Sequence, residues 1–183
     1  LFNQRISNFN YIKLENIKAD FAICTIPFTV LKKIEFSPAL SPARQEIINK
    51  TKYDDVARVF LQTKRCFWED AKLNGFAFGA DNAEIWNVTY GQKGTHGILQ
   101  TYLRGEFAEK MTVLAPAARL AKTTEDLEKL FPHLRENAVG GASKCWSEDP
   151  FSEGAWAHLL PKERELFYQP ENRIFFAGEH LSD

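Results

Sequence analysis

The chain has 183 residues, of which 44% are hydrophobic and 26% charged, and its formal net charge is −1. This apolar content is enough to bury a core, which excludes a disordered tail. The charges are balanced and form no basic stripe, so nothing in the sequence indicates binding to nucleic acid. No apolar run approaches the roughly 18 residues of a membrane-spanning helix, and no signal-peptide pattern is present. We therefore expect a soluble protein, either cytoplasmic or secreted.

Strand and helix patterns alternate in the first third of the chain. Residues 19–27, ADFAICTIP, alternate like a strand and end at a proline, which cannot donate to a sheet. Ser41 before Pro42 is typical of a helix start, and this helix is predicted to reach about Lys50. Residues 55–64, DVARVFLQTK, alternate again and predict a strand that presents Arg58 among apolar neighbours.

Glycine-separated apolar runs in the middle of the chain predict an antiparallel meander, with strands at 76–78, 84–88 and 98–103. Helical patterns follow at Glu106–Lys110 and from about Pro116 to Leu130. The inward positions expected there are Leu120, Leu127, Leu130 and Phe131.

The last third of the chain is predicted to hold two strands. A strand at 142–146 leads into a long turn that is rich in serine, glutamate and glycine. Ile174–Phe176 is predicted as a buried strand, followed by a small Ala-Gly pair that lets the backbone pass close to another group.

Cysteine and histidine spacing gives no metal or disulfide signature. The three cysteines are far apart, and the four histidines have no ligand spacing and no partner cluster. We expect buried free thiols at Cys24, Cys66 and Cys145, and no metal site.

Four segments, taken in order, carry a family resemblance: ADFAICTIPFTVL, VARVFLQTKRCFWED, KCWSEDPFSEGAW and RIFFAGEH. The chain resembles the flavin-dependent amine and L-amino-acid oxidases from about Lys18 onward. The resemblance implies an α+β fold, with a mixed or antiparallel sheet and flanking helices forming a substrate-binding region at 31–170. It further implies that residues 1–30 and 171–183 contribute strands and turns to a Rossmann-like FAD-binding fold.

The resemblance also implies FAD as the cofactor and suggests which residues contact it. The strand RIFFAGE lies under the flavin in this family, so Ala177, Gly178 and Glu179 are candidate FAD contacts, with Pro27 and Trp146 beside them. The backbone amides around Gly178 and Glu179 would bind the diphosphate, because a bare carboxylate would repel it. The alternative is a glycine turn after an edge strand, with a solvated glutamate.

Three candidate substrate-binding residues follow from the same resemblance. Tyr102 matches the position at which L-amino-acid oxidases place a tyrosine hydroxyl on the substrate carboxylate, while Ala155 and Trp156 are assigned to the pocket wall. The alternatives are a strand-end tyrosine with its hydroxyl in water and a tryptophan in the core.

Arg58, the candidate catalytic residue, departs from the family pattern. Many members carry a lysine there, which holds a water near the flavin and assists the reaction with oxygen. Arginine cannot act as a base near neutral pH but supplies a fixed charge, so efficient use of oxygen is in doubt. A strand-face ion pair is the alternative role.

The expected function is therefore that of part of an FAD-dependent oxidase, which converts an L-amino acid to the imino acid. The chain contains no G-x-G-x-x-G motif, so we expect the remainder of the enzyme to carry it and the isolated chain to be inactive. A homo-oligomer is expected. The alternatives are an amino-acid 2-monooxygenase, a polyamine or monoamine oxidase, and a non-catalytic binding module or pseudoenzyme.

Overall fold

The computed structural model describes residues 18–79 and 83–182. They form short helices mixed with parallel and antiparallel sheets, so the expected α+β class is confirmed. The strands are β1 (Ala22–Cys24), β2 (Lys52–Tyr53), β3 (Val56–Thr63), β4 (Ala77–Phe78), β5 (Glu84–Asn87), β6 (Gly97–Arg104), β7 (Ala138–Cys145), β8 (Ala157–His158) and β9 (Ile174–Phe176). The α-helices are α1 (Phe28–Leu31), α2 (Pro42–Lys50), α3 (Glu106–Thr112), α4 (Pro116–Glu128), α5 (Leu134–Asn137) and α6 (Pro161–Tyr168).

The largest sheet has the strand order β4-β5-β6-β3-β7, and every neighbouring pair in it is antiparallel. The predicted meander is thus confirmed as β4-β5-β6. β3 lies between β6 and β7, so that Val59 is opposite Thr101 on one side and Ser143 on the other. This sheet is the frame on which the side chains of the middle of the chain are placed.

One face of this sheet is covered by helices, as the alternation in β3 predicts. Ala57 and Val59 are buried with Ala108 and Met111 of α3. Leu61 of the same strand is buried in a second cluster, together with residues of α4 and α5. The other face of β3, which carries Arg58, belongs to neither cluster, and we call it the open face.

The two ends of the described chain meet in smaller sheets. β1 pairs with β9 in parallel, and β2 pairs with β8 in antiparallel orientation. A third buried cluster forms beneath them from residues of α1, α2, α6 and β9. The assignment of both ends of the chain to one nucleotide-binding fold stays a prediction, to which this parallel pairing gives support.

Buried Arg44 of α2 ties the third cluster to the segment before β9. Its guanidinium forms an ion pair with Glu171 at 3.1 Å and donates to the carbonyl oxygens of Leu166 and Gln169, each at 2.7 Å. It also lies 5.3 Å from the ring centroid of Phe176. Arg44 therefore satisfies carbonyl groups at the C-terminal end of α6 that no further helical turn reaches.

Several local expectations differ from the structure. The first strand is shorter than its pattern, and short α1 was not predicted. Ser41 precedes α2 as expected but makes no side-chain cap, because its backbone amide and hydroxyl donate to Glu171. Leu130 was expected inside but is 38% exposed, since α4 ends before it at Glu128. All three cysteines are free, although only Cys145 is fully buried.

No α-helix within residues 18–79 and 83–182 is long and apolar enough to cross a membrane.

Arg119, a buried residue of α4, joins α3 to the turn that follows β7. Its Nε donates to the carbonyl oxygen of Met111 at 2.9 Å, and its Nη2 donates to that of Thr112 at 2.8 Å. Its Nη1 donates to Glu148 at 2.9 Å, which holds the pKa of that carboxyl below its usual range. The guanidinium thus provides hydrogen bonds to the last carbonyl oxygens of α3 and holds the turn after Trp146 in place.

Replacing Arg119 by alanine should lower the free energy of unfolding by about 3 kcal/mol, because two carbonyl oxygens and a carboxylate lose a charged donor. Urea unfolding measures this change. Lys110→Ala is the control, since Lys110 and Glu106 form an exposed pair and its loss should cost less than about 1 kcal/mol. Equal effects of the two substitutions would contradict the role of Arg119.

Candidate functional site

The open face of the largest sheet brings two of the sequence-predicted residues together. Arg58 on β3 is directly opposite Tyr102 on β6, and opposite Lys144 on β7. The Arg58 guanidinium carbon lies 4.9 Å from the centroid of the Tyr102 ring, a cation–π distance. Tyr102 is only 6% exposed. Its ring is thus packed into the sheet surface and fixed in direction.

Aromatic and charged neighbours that were not predicted from the sequence surround Tyr102. Trp86 on β5 stacks on its ring with a centroid separation of 5.9 Å, and Arg104 lies 5.4 Å from the ring centroid. Arg104 Nη2 is also 2.5 Å from Glu84 Oε1. The alternating pattern of β5 could have predicted these neighbours, because it places the side chains of Glu84 and Trp86 on one face of the strand.

Two nitrogen atoms beside this cluster are buried without a hydrogen-bond partner in the described part of the chain. They are Nε of Arg58 and Nε2 of Gln100. Gln100 lies opposite Phe60, two residues along β6 from Tyr102, and therefore shares the open face. Both atoms are donors, so two buried donors beside this cluster lack an acceptor within the described residues.

Trp146 lies at the end of β7 and is linked to the open face through Lys144. The ammonium group of Lys144 is 5.1 Å from the Trp146 ring centroid and pairs with Asp149. The Trp146 carbonyl oxygen accepts hydrogen bonds from the backbone amides of Asp149 and Gly154, each at 3.2 Å. The turn therefore folds back on Trp146 and brings the following segment beside it.

Ala155 and Trp156 are fixed by the backbone of the segment before β3. The Ala155 amide donates to the Asp54 carbonyl oxygen, and the Asp54 amide donates to that of Trp156, both at 2.9 Å. His158 Nε2 lies 2.7 Å from Asp54 Oδ1. Trp156 keeps 39% of its surface exposed, as a residue that lines an open cleft would.

The turn after β9 is joined to the same segment. A carboxylate oxygen of Glu179 accepts the backbone amide of Ala157 at 3.0 Å, and the Ala177 amide donates to the Cys24 carbonyl oxygen at 3.0 Å. Gly178 has φ 120°, and a Cβ there would lie 3.1 Å from Cε1 of His180. The positive φ therefore favours glycine at this position, and a side chain there would also crowd the buried His180 ring.

Pro27 lies at the start of α1, and the ring of the next residue, Phe28, packs 4.4 Å from the ring of His180 in this turn. The backbone amide of Phe28 donates to the Tyr53 hydroxyl at 2.9 Å. Burial raises the pKa of Tyr53 to about 12, so the phenol remains neutral and can accept this bond. A Cβ on Gly154 would lie 2.6 Å from Cβ of Tyr53, which means that the turn after Trp146 passes directly over the tyrosine.

The two groups of predicted residues are thus continuous in space. Arg58, which packs on Tyr102, lies opposite Lys144, and Lys144 lies over the Trp146 ring. Ala157 of β8 then donates a hydrogen bond to Glu179. These contacts fit the FAD expectation, because Gly178 and Glu179 are exposed and their amides donate to no backbone oxygen in the described residues. The individual roles remain predictions.

The family model described as flavin containing amine oxidoreductase matches residues 7–183. The flavin-dependent L-tryptophan oxidase RebO of Lentzea aerocolonigenes is 30% identical, over 92% of this chain and 38% of its own length. An L-amino-acid oxidase of Mus musculus is 29% identical, over 92% of this chain and 28% of its own length. The chain therefore spans well under half the length of these curated relatives.

Solved structures show the same fold. Putrescine oxidase bound to putrescine superposes with a TM-score of 0.80 at 22% identity, over 90% of this chain and 38% of that one. Cyclohexylamine oxidase from Brevibacterium oxydans IH-35A gives a TM-score of 0.80 at 16% identity, over 91% of this chain and 38% of that one. At these identities the likeness concerns the fold.

Protonation of His180 should destabilise the protein as the pH falls. Burial against Phe28 lowers the His180 pKa from its usual 6.5 to about 4. Between these values the unfolded state binds more protons, so the free energy of unfolding should fall as the pH drops from about 6.5 to 4. The free energy of unfolding, measured by urea unfolding across this range, should depend less steeply on pH in His180→Leu than in the unmodified protein. An unchanged slope would contradict the assignment.

Proposed function

The chain belongs to the family of flavin-containing amine oxidoreductases, and we propose that it is the substrate-binding part of an FAD-dependent oxidase of L-amino acids. Residues 31–170 would form the substrate-binding region. Residues 1–30 and 171–183, of which 1–17 and 183 lie outside the described residues, would belong to its FAD-binding fold, and they include the paired strands β1 and β9. The dinucleotide-binding motif G-x-G-x-x-G would be supplied by residues outside this sequence.

The observation that carries this proposal is the cluster of Arg58, Tyr102 and Trp86 on the open face. An amino acid differs from a simple amine by its carboxylate, and its recognition calls for a hydrogen-bond donor and a positive charge. Tyr102 offers the hydroxyl and Arg58 the charge. The aromatic surface of Trp86 and Trp156 would accommodate an apolar side chain. The names of two relatives, L-tryptophan oxidase and L-amino-acid oxidase, agree with this assignment.

Bound flavin would supply the redox chemistry by accepting two electrons from the substrate. Ala177, Gly178 and Glu179 would hold the cofactor through close backbone approach, with Pro27 and Trp146 beside it. Tyr102 would anchor the substrate carboxylate, while Trp156 and Ala155 would form the pocket wall and limit water. Arg58 would act as a fixed charge rather than a base.

The overall reaction would be a two-electron oxidation of the amino acid by oxygen. The amino acid loses two electrons and two protons to give the imino acid, and oxygen takes them up as hydrogen peroxide. Water then hydrolyses the imino acid to a 2-oxo acid and ammonia. Tyr102 and Arg58 would hold the carboxylate throughout, because it takes no part in bond making or breaking.

Amine oxidation without a carboxylate is the second candidate, favoured by the fold likeness to putrescine oxidase and cyclohexylamine oxidase. Peroxide release by the complete enzyme, measured over panels of L-amino acids and amines, separates the two. Amide formation without peroxide would indicate a 2-monooxygenase, and no turnover would indicate a binding module. We also expect a homo-oligomer, which light scattering can test.

Replacing Tyr102 by phenylalanine in the complete enzyme should raise KM for amino acids. Loss of one charge-assisted hydrogen bond costs roughly 1.5–3 kcal/mol, or about 10- to 100-fold in KM. Tyr90→Phe is the matched control, because Tyr90 is 99% exposed and its substitution should leave the kinetics unchanged. Unaltered KM and kcat in Tyr102→Phe would remove Tyr102 from the substrate site.

A further inference from the structure

We propose that Arg58 and Gln100 act with Tyr102 as a carboxylate clamp, which makes the enzyme select amino acids over the corresponding amines. This inference rests on the proposed function and deepens it, because it makes the fixed charge of Arg58 the feature that distinguishes amino acids from amines. It also adds Gln100, a residue without an earlier role, to the binding site.

The register of β3 and β6 brings the three side chains together. Arg58 is opposite Tyr102, and the next pair on the same face is Phe60 opposite Gln100. Side chains two residues apart on a strand point to the same side, so the four residues form one block on the open face. Donors from two neighbouring strands therefore share this face of the sheet.

Two hydrogen-bond donors of this block lack an acceptor in the part of the chain that the structure describes. Nε of Arg58 and Nε2 of Gln100 are buried, and neither has a partner in the described residues. A buried donor without an acceptor is unfavourable, so such atoms call for an acceptor. A carboxylate is suited to this role because it only accepts hydrogen bonds and can take two at once from a guanidinium fork.

The charges on this face point to the same ligand. Glu84 is neutralised by Arg104, and Lys144 is paired with Asp149. Arg58 has no ion-pair partner within residues 18–79 and 83–182. Its positive charge therefore remains available to an anion, and the other charged groups beside it are already compensated.

The adjacent aromatic surface favours a carboxylate attached to an apolar group. Trp86 stacks on Tyr102 and is itself exposed. An aromatic amino acid could lie with its carboxylate on Arg58 and its side chain on this surface. A free inorganic anion would use only the polar part of the block.

Paired substrates test the clamp in the complete enzyme. L-phenylalanine and phenethylamine differ only in the carboxylate, so Arg58→Met should lower kcat/KM for the amino acid by about 10- to 100-fold. The value for the amine should change less than about threefold or rise, because an unpaired cation is removed. Gln100→Met should act in the same direction with a smaller effect. Arg65→Met is the control, since Arg65 is exposed and paired with Asp70.

Direct binding gives a readout that does not depend on turnover. Isothermal titration with benzoate, an unreactive aromatic carboxylate, should show weaker binding in Arg58→Met and Gln100→Met, while Arg58→Lys should retain part of the affinity. If Arg58→Met does not fold, as judged by circular dichroism, Arg58→Lys and Gln100→Met carry the same comparison.

The outcomes separate the clamp from the proposed function. Equal losses for amino acid and amine, benzoate affinity that is unchanged in Arg58→Met, or an Arg58→Lys effect confined to flavin reoxidation would each overturn the clamp. Failure of the unmodified complete enzyme to oxidise any amino acid would instead overturn the proposed function.

Discussion

The position of β3 between β6 and β7 is the constraint on which the candidate site depends. Its antiparallel register decides that Arg58 faces Tyr102 and Lys144 together. A shift by one residue would turn Arg58 into the helix-covered core and expose Ala57 and Val59. Burial of the apolar face therefore fixes the polar face as well. The same hydrophobic packing that stabilises the sheet positions the residues proposed to bind substrate.

A second link connects this sheet to the proposed cofactor turn. Asp54, just before β3, exchanges backbone hydrogen bonds with Ala155 and Trp156, and the next residue, Ala157, donates to Glu179. Glu179 thus has a structural role in addition to its predicted place near FAD. Its carboxylate accepts a hydrogen bond from β8. The groups that remain to bind a phosphate are therefore the backbone amides of this turn, not the Glu179 carboxylate.

Local patterns in the sequence predicted much of the fold, because alternation and helix-start signals act over a few residues. They predicted α2 and the long strands β3 and β6, but missed α1, which is only four residues long. The candidate site was harder to predict from the residues alone. Lys144 and Gln100 are placed by strand pairings that span dozens of residues, and no local pattern reports such a register. Arg58 stood out because a charge on a largely apolar strand is visible locally.

A crystal structure of the complete enzyme with FAD and benzoate would test the account most directly. We expect the benzoate carboxylate within hydrogen-bond distance of the Tyr102 hydroxyl and the Arg58 guanidinium on the open face. The FAD should pass beside Gly178, with its flavin ring near Trp146. Benzoate bound on the helix-covered side of the sheet, or FAD remote from the turn after β9, would contradict the account.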